Sequence, residues 1–248
     1  MNRTALVTGA TSGFGKAISL TLAKEGYRII ITGRRQQLLD EVSKEIESLN
    51  TRCLSLCFDV QDSNATRDAL NLPTEWSKID VLVNNAGLAL GREPIAIANE
   101  EDWDQMIDTN VKGLLRVSKA ITPLMNKGGT VINIGSIAGK EVYPGGNVYC
   151  ASKHAVDAIT KALRMELASR NIRVSQIAPG AAKTEFSKVR FKGDQEKADA
   201  VYQDFDELTA QDIADVALFM VSRPSHVCLN DVIIMPTAQP NSRQIIRS

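Results

Sequence analysis

Short apolar runs bounded by turn residues recur along the chain at Ala5–Val7, Arg28–Thr32, Cys53–Phe58, Asp80–Val83, Thr130–Ile134, Ile172–Ile177 and Asp231–Met235. They are rich in Val and Ile and apolar at consecutive positions, the pattern of parallel strands covered on both faces. Between them the spacing turns helical. Ser12–Gly26 puts Ile18, Leu22 and Ala23 on one stripe, and Gln36–Leu49 does the same with Leu38, Leu39, Val42, Ile46 and Leu49. Strand alternating with helix predicts an α/β fold: a doubly wound, Rossmann-type parallel sheet of about seven strands, joined by right-handed crossovers, with helices on both faces.

Two longer helical stretches are predicted at about Glu100–Met125 and Tyr149–Ser169. The second carries Ala151, Ala155, Ala158, Ile159, Ala162, Leu163 and Leu167, an apolar surface wider than one sheet face requires, which points to self-association. Residues 183–208 show no strand pattern and mix Arg190, Lys192, Asp194, Glu196 and Lys197 with Phe186 and Phe191. They read either as a mobile lid over a substrate or as a solvated loop. With no Ser/Gly-rich linker or repeat, residues 1–248 are expected to form one domain.

Composition narrows the function. Twenty-nine basic and 29 acidic side chains cancel, so no basic field favours nucleic acid. No apolar run approaches the roughly 20 residues of a membrane span, and Met1–Thr4 enters the first strand without a secretory leader, so the expected location is the cytoplasm. Four cysteines, Cys53, Cys57, Cys150 and Cys228, match neither a disulfide framework nor a C-x-x-C metal pair, and read as reduced, partly buried thiols. His154 and His226 are isolated, and no metal site is expected.

Candidate chemistry starts after the first strand, in Thr8-Gly9-Ala10-Thr11-Ser12-Gly13-Phe14-Gly15. Glycines there let the backbone turn sharply and approach a pyrophosphate, while the following helix N-terminus favours its charge. Gly9, Thr11, Ser12, Gly13, Phe14 and Gly15 are the candidate contacts. The second strand ends in Thr32-Gly33-Arg34-Arg35, where an NAD enzyme usually places an acidic side chain for the ribose 2′-hydroxyl. Guanidinium groups match a 2′-phosphate instead, so Arg34 and Arg35 predict NADP as the cofactor.

Farther on, Tyr149-Cys150-Ala151-Ser152-Lys153 sets a phenol and an ammonium four residues apart on one helix face, and Ser136 lies just past a strand at the carboxyl end of the sheet. With Asp59-Val60, Asn84-Asn85-Ala86-Gly87, Asn110 and Pro179-Gly180 with Thr184, these motifs make the chain resemble the short-chain dehydrogenase/reductase family along essentially its whole length. The resemblance implies that Asp59 and Val60 hold adenine, that the Asn84–Gly87 turn, including Asn85, Ala86 and Gly87, lines the cofactor, that Pro179 and Gly180 flank the nicotinamide, and that Thr184 meets its carboxamide. Tyr149 is expected as acid and base, its phenolate favoured by Lys153 and by oxidised nicotinamide. Ser136 would donate to the substrate oxygen, and Asn110 would support a water linking Lys153 to solvent.

Residues 184–194 and the ending Ile234-Met235-Pro236-Thr237-Ala238-Gln239 are similar to the NADP-dependent 3-hydroxy acid and serine dehydrogenases of that family. Such substrates are small carboxylates. Arg190 is either a bidentate clamp for that group or a surface ion-pair residue, and Tyr143 is a candidate pocket wall. The alternatives are a general carbonyl or diketone reductase and a 3-oxoacyl carrier-protein reductase, though the last strand lacks the Gly-Gly pair usual in the latter. An α/β hydrolase is disfavoured because Gly135-Ser136-Ile137-Ala138-Gly139 is not G-x-S-x-G; a non-catalytic NADP sensor sits poorly with the full Ser136, Tyr149 and Lys153 set. Family habit implies a homotetramer, and the tail from Gln239 to Ser248 is expected to wander or to pack on a neighbouring subunit.

Overall fold

The computed structural model describes residues 3–247; Met1, Asn2 and Ser248, and with them part of the expected Met1–Thr4 entry and the last residue of the tail, lie outside the described residues. Seven strands form one parallel sheet in the order β3-β2-β1-β4-β5-β6-β7. They run Thr4–Val7 (β1), Arg28–Gly33 (β2), Cys53–Cys57 (β3), Ile79–Asn84 (β4), Met125–Ile134 (β5), Arg173–Pro179 (β6) and Asp231–Ile234 (β7). Successive residues of a strand point to opposite faces, and each face has its own core. Val7, Ile29, Ile31, Val83 and Ile132 pack with Ile18 and Leu22 of α1 (Gly13–Lys24), Leu39 and Ile46 of α2 (Gln36–Glu47), and Ile213 and Met220 of the late helix Ala210–Val221. On the other face Leu6, Ile30, Leu82, Val131 and Val174 meet Val117, Ile121 and Leu167.

The remaining helices are α3 (Ser63–Ala69), α4 (Glu100–Ile107), α5 (Leu114–Ile121), α6 (Asn147–Leu167), α7 (Phe186–Arg190), α8 (Gln195–Ala200) and the Ala210–Val221 helix, α9. The stretch expected as one helix at Glu100–Met125 is therefore divided. A π turn, Asp108–Gly113, joins α4 to α5, and Gly113 lets that turn close on Val60, because a Cβ there would lie 2.7 Å from Val60 Cγ2. The helical run ends in a 3-10 turn containing Pro123, and Met125 opens β5. Residues 183–208 contain α7 and α8, and their stem is clipped shut where Lys183 N–H donates to Leu208 O (2.9 Å) and Leu208 N–H to Ala181 O (3.1 Å).

Both sheet edges depart from the fully covered strand pattern. Asp231 and Ile233 of β7 are exposed, and so are Cys57, at the open edge of β3, and Cys228, just before β7; the partial burial expected of all four thiols holds for Cys53 and is exceeded at Cys150, which is buried. Strand order reverses between β1 and β4. The carboxyl ends of those two strands leave the crevice in which open α/β sheets bind ligands.

Candidate active site

A cleft of about 730 Å³ opens at that crevice. Every site residue expected from the sequence lines it except Gly15, Asn84 and Asn110. At the nucleotide end, Gly9 (φ +64°) and Gly13 (φ +52°) take left-handed conformations that side chains disfavour. Gly15 acts behind the loop, since a Cβ there would lie 2.4 Å from Gly9 O and 2.5 Å from Asn85 Nδ2. Asn85 fastens the loop from below, with Nδ2 donating to Thr8 O (2.9 Å) and Gly9 O (3.1 Å). Its neighbour Asn84 faces away from the cleft, expected there as part of the Asn84–Gly87 turn. Asn84 Nδ2 donates to Ser118 Oγ and Asn133 Oδ1 inside the molecule, because adjacent strand residues alternate faces.

Arg34 and Arg35 stand half-exposed at the same end. Arg34 Nη1 is 3.3 Å from Asp59 Oδ2, and Arg35 Nη2 donates to Thr11 Oγ1 at 2.8 Å and to Glu185 Oε2 at 3.0 Å. Glycines without room for a Cβ, a helix N-terminus and two guanidinium groups fit a dinucleotide carrying an extra phosphate on its ribose.

At the other end Ser136, Tyr149 and Lys153 are buried together. Ser136 follows β5 and caps a 3-10 turn, its Oγ accepting from Ala138 N–H (3.1 Å) and donating at long range to Pro179 O (3.5 Å). Tyr149 and Lys153 sit one turn apart near the start of α6, and Lys153 Nζ donates to Ile134 O at 2.9 Å. Burial brings the Lys153 ammonium down to about 8. Burial also pushes the Tyr149 phenol well above its usual range, seconded by Tyr143, while a Ser136 hydrogen bond and the Arg190 charge pull it down. The cation facing the ring is thus Arg190, 5.5 Å from the centroid, more than Lys153 at 6.0 Å. Asn110 lies in the π turn with its carboxamide committed elsewhere: Oδ1 accepts from Leu88 N–H (2.8 Å), and Nδ2 donates to Leu88 O (2.8 Å) and Ser152 Oγ (3.0 Å). Its side chain ties the loop at Leu88 to α6, and its Oδ1 and Lys153 Nζ both border Gly87, where a Cβ would lie 3.1 and 3.5 Å from them.

Arg190, at the end of α7, reaches back over the phenol. Its Nε donates to Gly91 O (3.2 Å) and Nη1 to Tyr143 Oη (3.0 Å), and Nη2 is buried without a partner. Tyr143 is a wall of the cleft, as expected. Sequence reasoning did not single out Phe186 as a contact, although its ring centroid is 5.6 Å from that of Tyr149, nor Gln239, whose Oε1 accepts from Ala181 N–H at 2.7 Å beside Gly180. The described part of the tail is ordered by hydrogen bonds within its own chain. Ser242 N–H donates to Glu141 (2.8 Å), Arg243 Nε to Val142 O (3.0 Å), and Arg247 to Gln203 O. Two of the buried orphan polar atoms, Arg190 Nη2 and Ser242 Oγ, belong to residues lining this one cleft.

A family model described as short chain dehydrogenase matches residues 3–195. The chain belongs to the short-chain dehydrogenase family. Among relatives of this short-chain dehydrogenase, a probable NADP-dependent dehydrogenase of Haemophilus influenzae is 48% identical over 95% of this chain and 94% of its own. An NADP-dependent 3-hydroxy acid dehydrogenase of Escherichia coli (strain K12) is 45% identical over 94% of this chain and 95% of its own. A solved structure described as the closed form of serine dehydrogenase complexed with NADP+ superposes with a TM-score of 0.92 and 44% identity, covering 96% of this chain and 97% of that one. No helix among the described residues is long and apolar enough to cross a membrane.

Proposed function

We propose that this short-chain dehydrogenase uses NADP to interconvert the 3-hydroxyl and 3-oxo forms of a small, serine-like or 3-hydroxypropionate-like acid. Arg34 and Arg35 would hold the 2′-phosphate, and the Gly9–Gly15 loop the pyrophosphate. NADP supplies or accepts a hydride at the nicotinamide. Every other task falls to the chain. Ser136, with its hydroxyl proton weakly engaged, turns to donate to the substrate oxygen. Tyr149, kept protonated by burial, gives its proton to a carbonyl oxygen in reduction; in oxidation its deprotonated phenolate takes the proton of the alcohol. Lys153 keeps a positive charge at neutral pH on the same helix face. Residues 1–248 act as one catalytic domain with 183–208 as its lid; Leu115 of α5 and Met165 of α6, both exposed, offer the apolar contacts for a homotetramer.

The observation that carries the substrate reading is Arg190 Nη2, a buried guanidinium nitrogen without a partner, over the ring of Tyr149. Leaving such a donor unsatisfied is costly, and a substrate carboxylate would satisfy it while orienting the β-carbon. The test compares L-serine, 3-hydroxypropionate and 3-hydroxyisobutyrate with an uncharged alcohol of similar size, in the parent and in Arg190→Ala. The clamp requires the loss of kcat/KM on the acids to exceed the loss on the uncharged alcohol by about 10- to 100-fold. Equal losses on both classes would reject it.

A further inference from the structure

Arg35 meets a carboxylate at the place where its guanidinium would meet the cofactor. Its Nη2 lies 2.8 Å from Thr11 Oγ1, 3.2 Å from Ser12 Oγ and 3.0 Å from Glu185 Oε2. All four residues line the nucleotide end of the cleft. Thr11 and Ser12 belong to the glycine-rich loop, and Glu185 follows Thr184, whose Cβ would be 3.3 Å from a Cβ on Gly13. We propose that Glu185 sets the strength of the NADP preference by competing with the 2′-phosphate for Arg35. This rests on the reading that NADP is the cofactor and Arg35 its phosphate partner.

Two anions cannot both take that nitrogen without repelling each other across a few ångströms. The Glu185 carboxyl would be raised by burial alone, yet bonds from Ser12 and Arg35 hold it below the usual carboxylate range, so it is charged at neutral pH. Both partners of the ion pair are about half-exposed, 47% and 51%, so it is weak and yields to a phosphate. Glu185 is also the residue from which α7 starts. A phosphate that displaces it therefore pushes on the helix that ends in Arg190. NAD, with a hydroxyl in place of the phosphate, does not compete.

The experiment is calorimetric titration of NADP+ and NAD+ into the parent, Glu185→Gln, Arg35→Ala and the double variant at low ionic strength, where charge effects are least screened. Glu185→Gln is expected to tighten NADP+ binding by about two- to fivefold and to change NAD+ binding by less. In the Arg35→Ala background the same substitution should have no such effect. Unchanged or weaker NADP+ binding in Glu185→Gln, equal tightening of both cofactors, or a full effect without Arg35 would each overturn the proposal. If the parent itself shows no preference for NADP+, the cofactor reading fails and this inference with it; a preference untouched by Glu185→Gln sinks the inference alone. Thermal unfolding of each variant confirms that the titrated protein is folded.

Discussion

At position 149 burial and chemistry pull in opposite directions. A phenol enclosed by Phe186, Tyr143 and Cys150 holds its proton, which suits donation to a carbonyl; oxidation needs the phenolate and so needs positive charge brought close. The active species for oxidation is the deprotonated one, so kcat/KM for alcohol oxidation is expected to rise with pH across pH 6–10, measured as a rate profile, because the raised phenol value places the ionisation on the alkaline side. Tyr149→Phe should cost about 10²- to 10⁴-fold in kcat/KM with its thermal midpoint unchanged, since the ring packing is kept. The identity of this residue was legible from its spacing to Lys153, but its electrostatics were not. Which cation faces the ring depends on Arg190, 41 positions away, and only the folding of α7 over the cleft brings it there. Likewise, nothing in Asn84-Asn85 tells which carboxamide enters the cleft, because the answer lies in where β4 stops alternating.

Helix α6 carries Tyr149 and Lys153, and one turn farther along the same stripe it is tied to the sheet edge by a compact ion cluster. Lys140 bonds Asp157 of α6 and, at 3.0 Å, Asp231 of β7, while Lys161 reaches Asp157 at 2.6 Å. Burial alone would lower Lys140, but the Asp157 and Asp231 bonds override it and raise it. Burial alone would raise Asp157, and the two lysines override that and lower it. A lowered carboxyl contributes stability above its ordinary range that is lost as pH falls through the folded value; a raised ammonium contributes below its ordinary range and loses it at alkaline pH. Asp157→Asn is therefore expected to destabilise the fold by about 1–3 kcal/mol near neutrality, read by urea unfolding, with the difference from the parent vanishing in acid. Elements of this size were well foreshadowed by periodicity, seven strands among them. The π turn was not, because a widened helical turn leaves the apolar spacing of α4 and α5 almost intact.

Across the whole molecule, one sheet face order and one crossover sense put the glycine loop, Ser136 and Pro179 at the same rim, and that much follows from strand and helix alternation. The tail did not. Its polar composition carries no period, and its place is fixed by hydrogen bonds to the Glu141 carboxylate, to the Val142 carbonyl and to the backbone of the segment after α8. Truncation after Pro240 removes those bonds and frees residues 183–208 on one side. It is expected to raise KM for the proposed acid substrate at least about threefold, the cost of ordering loosened side chains on binding, with kcat within about twofold; steady-state kinetics of the shortened chain decides this.

Five residues of α7 span about 7.5 Å, with Glu185 just before the first and Arg190 as the last. A residue added or deleted inside that helix would swing its far end by about 100° and turn the guanidinium off the phenol, whatever the letter inserted. The ruler should therefore tolerate many spellings and almost no change of length, so that deletions here silence turnover where neighbouring substitutions merely adjust it.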